Sequence, residues 1–401
     1  MNNRTLGYSR SLYSGLWLLL LSASITNLIN VLSLLLFGNI IPILGAVVKY
    51  VTIAASALMI IRIARSHFLF IAGSFALFAL IWYKSYTFNS GASSAIEENV
   101  IPFFCETLPY LWIFYGFCKS DIKKGTSNFF YLLYRICKVK LVLALLAQLI
   151  MFVFPSTEIF HDYMNAANAI LLGLNIVTIK NIIDKHSNKL NTILEVISVI
   201  FILLLGSRGG ILCYASVYLL YYIFVSKARE RRKIIGLILV GGVFLFLFGP
   251  SLLSAFMGSS SRYAGLLSSG NLFYDEERAL ISTIIFSNII DNPFGLGVMA
   301  DRPILTESTE VWAVFYTHNL ELEMALNFGY IGFLISAILI CFIIYILRKN
   351  IQIANKQILV ALVATSIIKL QVSSSYWIDP IFWAVVGYVL ACRKMPDLTS
   401  N

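Results

Sequence analysis

Residues 316–346 read YTHNLELEMALNFGYIGFLISAILICFIIYI. From about Met324 onward the stretch is long and apolar enough to cross a bilayer, whose hydrocarbon core takes about 20 such residues as a helix. Immediately ahead of it, where hydrocarbon should begin, stands a titratable side chain, His318, followed by Asn319 and, at fixed spacing, by Gly329 and Gly332. The apolar run sets the fold class, and its polar lip marks where chemistry can sit.

The same kind of run recurs along the chain. Of the 401 residues, 59% are hydrophobic and only 12% charged, outside the range of soluble domains and inside that of polytopic membrane proteins. Spans are predicted at 15–37, 41–61, 68–83, 100–118, 138–154, 165–180, 190–205, 210–226, 234–250, 324–346, 357–371 and 380–392, which makes about twelve transmembrane helices. The expected fold is therefore all-α, one polytopic membrane domain over 1–401, with a single long non-membrane loop at about 251–320. A loop of that length needs a functional reason. The first span follows Arg4 and Arg10 as a signal peptide would, yet it is a full crossing and reads as a retained helix.

The net charge of +10 might suggest nucleic acid, but the Lys and Arg residues lie in short runs between apolar spans rather than on one surface. With a cytoplasmic N-terminus every second connection should be basic. Arg62 and Arg65; Lys119, Lys123 and Lys124; Lys180, Lys185 and Lys189; Lys227 to Lys233; Arg348, Lys349 and Lys356; and Arg393 and Lys394 all obey that rule. The other connections hold only Lys84, Arg208, Arg262, Arg278 and Arg302, with most of the acids. Both termini are expected inside. The basic, aromatic segment at about 125–140 is either an interfacial helix or the snorkelling end of the fifth span. The six Cys lie in or beside apolar spans without a CxxC pair, which supports neither a disulfide framework nor a thiolate metal site.

On the outer side each Arg is a minority event. Arg208, in LLLGSRGGIL, sits in a turn too short to leave the membrane surface, with Gly206, Gly209 and Gly210 beside it. A guanidinium next to exposed helix-start N–H groups is a good anion cradle, although a snorkelling helix-end Arg would read the same. Arg278, in YDEERALISTIIFSNIIDNPFGLG, follows Asp275, Glu276 and Glu277 and precedes apolar residues at 280, 281, 284, 285 and 289, the period of an amphipathic helix. It is either an anion contact or a salt-bridge partner of those acids. Arg262, in SSSRYAG, has the weakest case. His318 is the one imidazole of the long loop, and its ordinary pKa suits proton transfer near neutrality. Lys49, Glu106, Glu195 and Lys369 fall in or near spans, where a lone charge costs about 2.5–3.5 kcal/mol; they should pair or line a polar cavity.

The pattern of His318 and Asn319, nine residues, Gly329, two residues and Gly332 resembles the O-antigen polymerase (Wzy-type) and O-antigen ligase superfamily. So do Ser207-Arg208-Gly209, the Arg278 segment leading into NPFGLG, and the long loop between late helices. The resemblance covers the arrangement of the chain, and its specific motifs cover about 205–335. It implies a GT-C-like, metal-independent lipid-linked glycan transferase without a cofactor, working at the periplasmic face of a bacterial inner membrane. The implied donor is an undecaprenyl-diphosphate-linked oligosaccharide, with membrane lipid, a chain-length regulator and a flippase as partners. By similarity Arg208 and Arg278 would bind the diphosphate and His318 would serve the acceptor, with Asn319, Arg262, Tyr316 and Tyr274 as substrate-binding candidates.

The residues permit that chemistry on their own terms. A lipid diphosphate is already an activated leaving group, so charge neutralisation, a positioned hydroxyl and a base suffice. The aromatic residues Tyr263, Tyr274, Trp312, Phe315, Tyr316, Tyr376 and Trp377 can stack on sugars or anchor at the interface. Polymerase and ligase differ only in acceptor, and the resemblance of SSSYWIDPIFW (373–383) favours the polymerase. A transporter or flippase would be expected to show two similar halves and mid-membrane sites, whereas the polar residues here gather on one face in the second half.

Overall fold

A computed structural model of the chain describes residues 10–37, 42–124, 128–153, 163–205, 207–227, 230, 276–308 and 316–393. The predicted ninth span at 234–250 lies outside them, as do Asp275, Arg262, Tyr263, Tyr274, Trp312 and Phe315. The described elements are helical: α1 (Arg10–Phe37), α2 (Pro42–Phe88), α3 (Ser93–Pro102), a π-helical turn (Phe103–Thr107), α4 (Leu108–Lys124), α5 (Asn128–Val153), α6 (Tyr163–Ile183), α7 (Lys189–Leu204) and α8 (Arg208–Phe224). There follow α9 (Glu276–Asp291), α10 (Asp301–Glu307), α11 (Leu320–Phe328), α12 (Tyr330–Arg348), α13 (Ile353–Thr365), α14 (Ile367–Leu370) and α15 (Pro380–Cys392). Seven stretches among the described residues are long and apolar enough to cross a membrane, and α8 and α15 supply shorter apolar helices.

One of the seven holds two predicted spans. Lys49 pairs with Glu106 at 2.7 Å, while Phe75 packs on Phe104 with ring centroids 5.0 Å apart. In a straight helix Lys49 and Phe75 would be about 39 Å apart, yet both meet one turn of the same neighbour. The chain therefore reverses at His67, whose φ of −136° and ψ of 30° break the helix. The two arms of α2 correspond to the predicted spans 41–61 and 68–83.

Contacts of this kind order the helices between two ends. Ile63 lies against Gly116, Phe117 stacks on Phe129, Cys118 meets Cys392, Tyr134 donates to Asn191, and Tyr388 donates to Asn355. That end gathers Arg62, Arg65, Lys119, Lys180, Lys189, Lys227, Arg348, Lys349 and Arg393. The opposite end gathers Leu205, Ser207 and the connections at 89–92, 292–300, 316–319 and 371–379.

One open reading is decided and one expectation is corrected. The segment before residue 138 is the start of the span's own helix: α5 begins at Asn128, and Phe129, Phe130, Leu132, Leu133 and Ile136 are buried in the main core, because its apolar face is continuous with the span. The predicted tenth span is two helices, since Gly329 (φ +67°) ends α11 and α12 begins at Tyr330. His318 therefore opens a separate nine-residue helix rather than the membrane span itself.

The four charges singled out within spans find charged or hydrogen-bonding partners. Besides Lys49 with Glu106, Lys369 meets Asp379 at 2.8 Å. Glu195 accepts from Thr178, Asn181, Tyr214 and Tyr218 at 2.6–3.0 Å, tying α6, α7 and α8 together. Such pairing is what a low-dielectric interior demands of a buried charge.

Candidate functional site

The site grows from the N-terminus of α11. Asn319 is its N-cap: Oδ1 accepts from the Leu322 N–H at 2.9 Å, satisfying a group that the helix start would leave open. The Asn319 amide donates to Gln371 Oε1 at 3.3 Å, and the Gln371 amide donates to Glu321 at 2.9 Å, so the loop before α15 is stitched to the helix start. His318, just ahead of the cap, has a left-handed φ of +56° and is only 8% exposed. A non-glycine residue in that region is uncommon and must be held by its surroundings.

The hold is Asp301. Its Oδ2 accepts from both the Thr317 N–H, at 3.1 Å, and the Thr317 hydroxyl, at 3.2 Å, clamping the residue next to His318. Asp301 is fully buried at the start of α10. The loop that presents it is pinned to the second arm of α2, with the Asn89 amide donating to Leu296 O at 3.0 Å and the Val298 N–H to Ser85 Oγ at 2.9 Å. Next to Asp301, the Arg302 guanidinium lies over the Tyr316 ring, 5.2 Å from its centroid, and the Tyr316 ring is 4.4 Å from that of His318.

A second buried acid stands one turn into α11. Glu323 accepts from the Ser375 hydroxyl in a short hydrogen bond and from the Tyr376 N–H at 3.3 Å, while Asn327 donates to the Tyr376 hydroxyl at 2.8 Å. Burial, reinforced by the nearby Asp301 charge, pushes the Glu323 carboxyl up to about 8. Burial also raises Asp301, against the opposing pull of Arg302 and the Thr317 hydrogen bonds. Two carboxyls sharing a dry site cannot both hold their charge easily.

The glycines of the motif do structural work around this centre. The Tyr330 N–H donates to Pro293 O at 3.1 Å, the Leu296 N–H to Leu326 O at 2.8 Å, and the Gly297 N–H to Asn327 O at 3.0 Å, so the NPFGLG turn is hydrogen-bonded to the end of α11. A Cβ on Gly329 would lie 1.9 Å from Pro293 O, and one on Gly332 would lie 1.8 Å from Met324 O. The His-Asn and Gly-Gly halves of the motif are the two ends of one rigid unit.

The sequence-predicted residues divide as follows. Tyr316, His318 and Asn319 lie together. Arg278 is in the first turn of α9, half-buried; α9 buries Ile281, Ile285 and Ile289 against Leu305, Ala325 and Leu326. Because α9 leads into Pro293 at the far end of α11, the two helices run in the same direction and Arg278 lies towards the His318 end. Arg208 is the first residue of α8, capped by Ser207, whose Oγ accepts from the Gly210 N–H at 3.1 Å. Its guanidinium lies outside what is described, as do Arg262 and Tyr274.

The glycines after Arg208 do not leave open room for an anion. Cβ positions there meet Val372 at 3.1 Å from Gly209, and Ile202 at 2.9 Å from Gly210, so these glycines allow close packing. Val372 belongs to the same 371–379 loop that Asn319 contacts through Gln371, which places the start of α8 beside the site. Tyr376 and Trp377 are each 1% exposed, inside an aromatic cluster with Phe103 and Trp383, so they are not sugar platforms. Sequence reading missed Asp301, Arg302, Glu323 and Gln371. The available signal was an acid four residues after the Asn319 cap and an Asp-Arg pair soon after the NPFGLG turn.

Residues 193–337 match the family model described as O-antigen ligase. The matched segment contains Arg208, Arg278, His318, Asn319, Gly329 and Gly332, and it bears out the likeness to the O-antigen polymerase and ligase superfamily. The seven long apolar helices among the described residues are those of a multi-pass membrane protein. No curated protein and no solved structure matches the chain.

Proposed function

We propose that this chain, similar over residues 193–337 to O-antigen ligases, is a polysaccharide polymerase. It joins undecaprenyl-diphosphate-linked repeat units at the periplasmic face of a bacterial inner membrane, with both termini in the cytoplasm. The observation that carries this reading is the placement of His318. It is buried, left-handed and clamped by neighbours at the end of the helix bundle opposite the Lys- and Arg-rich end.

In the reaction, an acceptor hydroxyl attacks the anomeric carbon of the donor glycan. Its proton passes to the His318 imidazole, the bond from that carbon to the diphosphate oxygen breaks, and polyprenyl diphosphate leaves with the bonding electrons. Direct displacement inverts the anomeric centre. Arg208 and Arg278 neutralise charge building on the leaving diphosphate. Asn319 fixes the approach to His318, and Tyr316, packed beside the His318 ring, lines the substrate's way to it. Arg262 and Tyr274 are assigned to the donor from sequence alone, and the chemistry needs no metal ion. A chain-length regulator and a flippase are the expected partners.

Product analysis after deletion of the gene tests this reading. Loss of a polymerase leaves single repeat units attached to the surface lipid. Loss of every unit would assign the chain as a ligase, and accumulation of lipid-linked units on the inner side would make it a flippase.

A further inference from the structure

Arg302 was expected only as one of a few outer-face basic residues, yet the fold brings it to the centre of the site. Its guanidinium carbon lies over the Tyr316 ring, 5.2 Å from the centroid, and that ring in turn touches the His318 ring. The side chain is 15% exposed, enclosed but not sealed.

The neighbouring acid does not use its donors. Arg302 Nε is 4.0 Å from Asp301 Oδ1, too long for a hydrogen bond, and that oxygen is buried with no hydrogen-bond partner among the described residues. Asp301's other oxygen is taken by Thr317. A guanidinium held over a ring and not engaged by the neighbouring acid keeps N–H groups for a bidentate phosphate acceptor. Burial moves Asp301 and Glu323 towards their neutral forms, which leaves the Arg302 charge less compensated.

We propose that Arg302 is a further anion-contacting residue of this site, held over Tyr316 so that its N–H edge meets the diphosphate of the lipid-linked donor beside His318. The proposal rests on the transfer reading above and adds to it the group that grips the donor next to the base.

The test uses the full chain purified in detergent, with inorganic pyrophosphate as the probe and chloride matched for ionic strength. Pyrophosphate is expected to raise the thermal unfolding midpoint of the wild type. Arg302→Gln should lose most of that rise, Arg302→Lys should keep part of it, and Arg348→Gln at the opposite end should keep all of it.

With lipid-linked oligosaccharide as donor, Arg302→Gln should raise KM by about tenfold to a hundredfold, as expected for hydrogen bonds to a charged group, with kcat changed far less. A wild type that gains nothing from pyrophosphate, or an Arg302→Gln variant with unchanged stabilisation and donor KM, overturns the assignment while leaving the transfer reading intact. Should Arg302→Gln fail to fold, Arg302→Lys decides: behaviour identical to wild type in both assays overturns the bidentate guanidinium contact. Absence of transfer by the wild type counts against the function and leaves the pyrophosphate result to judge Arg302.

Discussion

Replacing Gly329 by Ala tests whether the motif glycines lock the site or merely accompany it. At φ +67° and ψ −152° the backbone is in a region that residues with a Cβ avoid, at a cost of about 1–3 kcal/mol. The new methyl would also stand 1.9 Å from Pro293 O, where real contacts need about 3.4 Å or more, so the turn must move by well over an ångström. That shift breaks the hydrogen bond from Tyr330 N–H to Pro293 O and strains the two from Leu296 and Gly297 to the end of α11, each worth about 0.5–1.5 kcal/mol. The sum is about 3–5 kcal/mol, concentrated at the support of His318. Gly73→Ala is the control: nothing lies within 4 Å of its Cβ position and α2 is helical there, so the change should be neutral or slightly stabilising. Thermal unfolding of the two purified variants in one detergent measures the difference. Equal midpoints would refute the reasoning.

Further outcomes follow from the buried polar groups. Glu323 holds its proton up to about 8 in the folded chain but releases it near 4.5 when unfolded. Its contribution is therefore complete below about 4.5 and lost as pH rises through 8. Glu323→Gln should flatten that decline in a denaturation series across this range, and an unchanged slope would count against the shift. Lys369→Met alone strands the Asp379 carboxylate and should cost about 3–5 kcal/mol, much of it recovered by adding Asp379→Asn; a double variant no better than the single one contradicts the pairing. Arg278→Ala should abolish repeat-unit polymerisation in complemented deletion cells while leaving protein abundance unchanged, scored by surface-polymer ladders and immunoblot. Asp301→Asn should lower transfer with little change in donor KM, since it acts on His318 through Thr317.

The long apolar helices among the described residues were legible because an apolar run of bilayer length needs no partner to be recognised. Even the reversal at His67 fell between the two runs that the sequence separated. The pairing of Lys49 and Glu106 was legible as a requirement, although the sequence did not say which charges would meet. What escaped was decided by three-dimensional closure. Gly329 splits a continuous apolar pattern because Pro293, far back in the chain, needs its N–H neighbour and its empty Cβ position. Tyr376 and Trp377 looked like interface aromatics but are buried against Phe103 and Trp383. Arg302 and Asp301 carry no periodic signal. Their importance comes from Thr317 and Tyr316, which folding returns to them.

The central claim is that a single imidazole at the acceptor-facing end of this bundle drives glycan transfer from a lipid diphosphate. Its most direct measurement is ladder formation by the purified chain from a lipid-linked oligosaccharide, wild type against His318→Ala, with and without chelator. Loss of a general base predicts a rate lower by about a hundredfold to ten-thousandfold in the variant, with chelator without effect on either protein. Ladders of equal rate from the two proteins, or activity that chelator abolishes and a divalent ion restores, would contradict it.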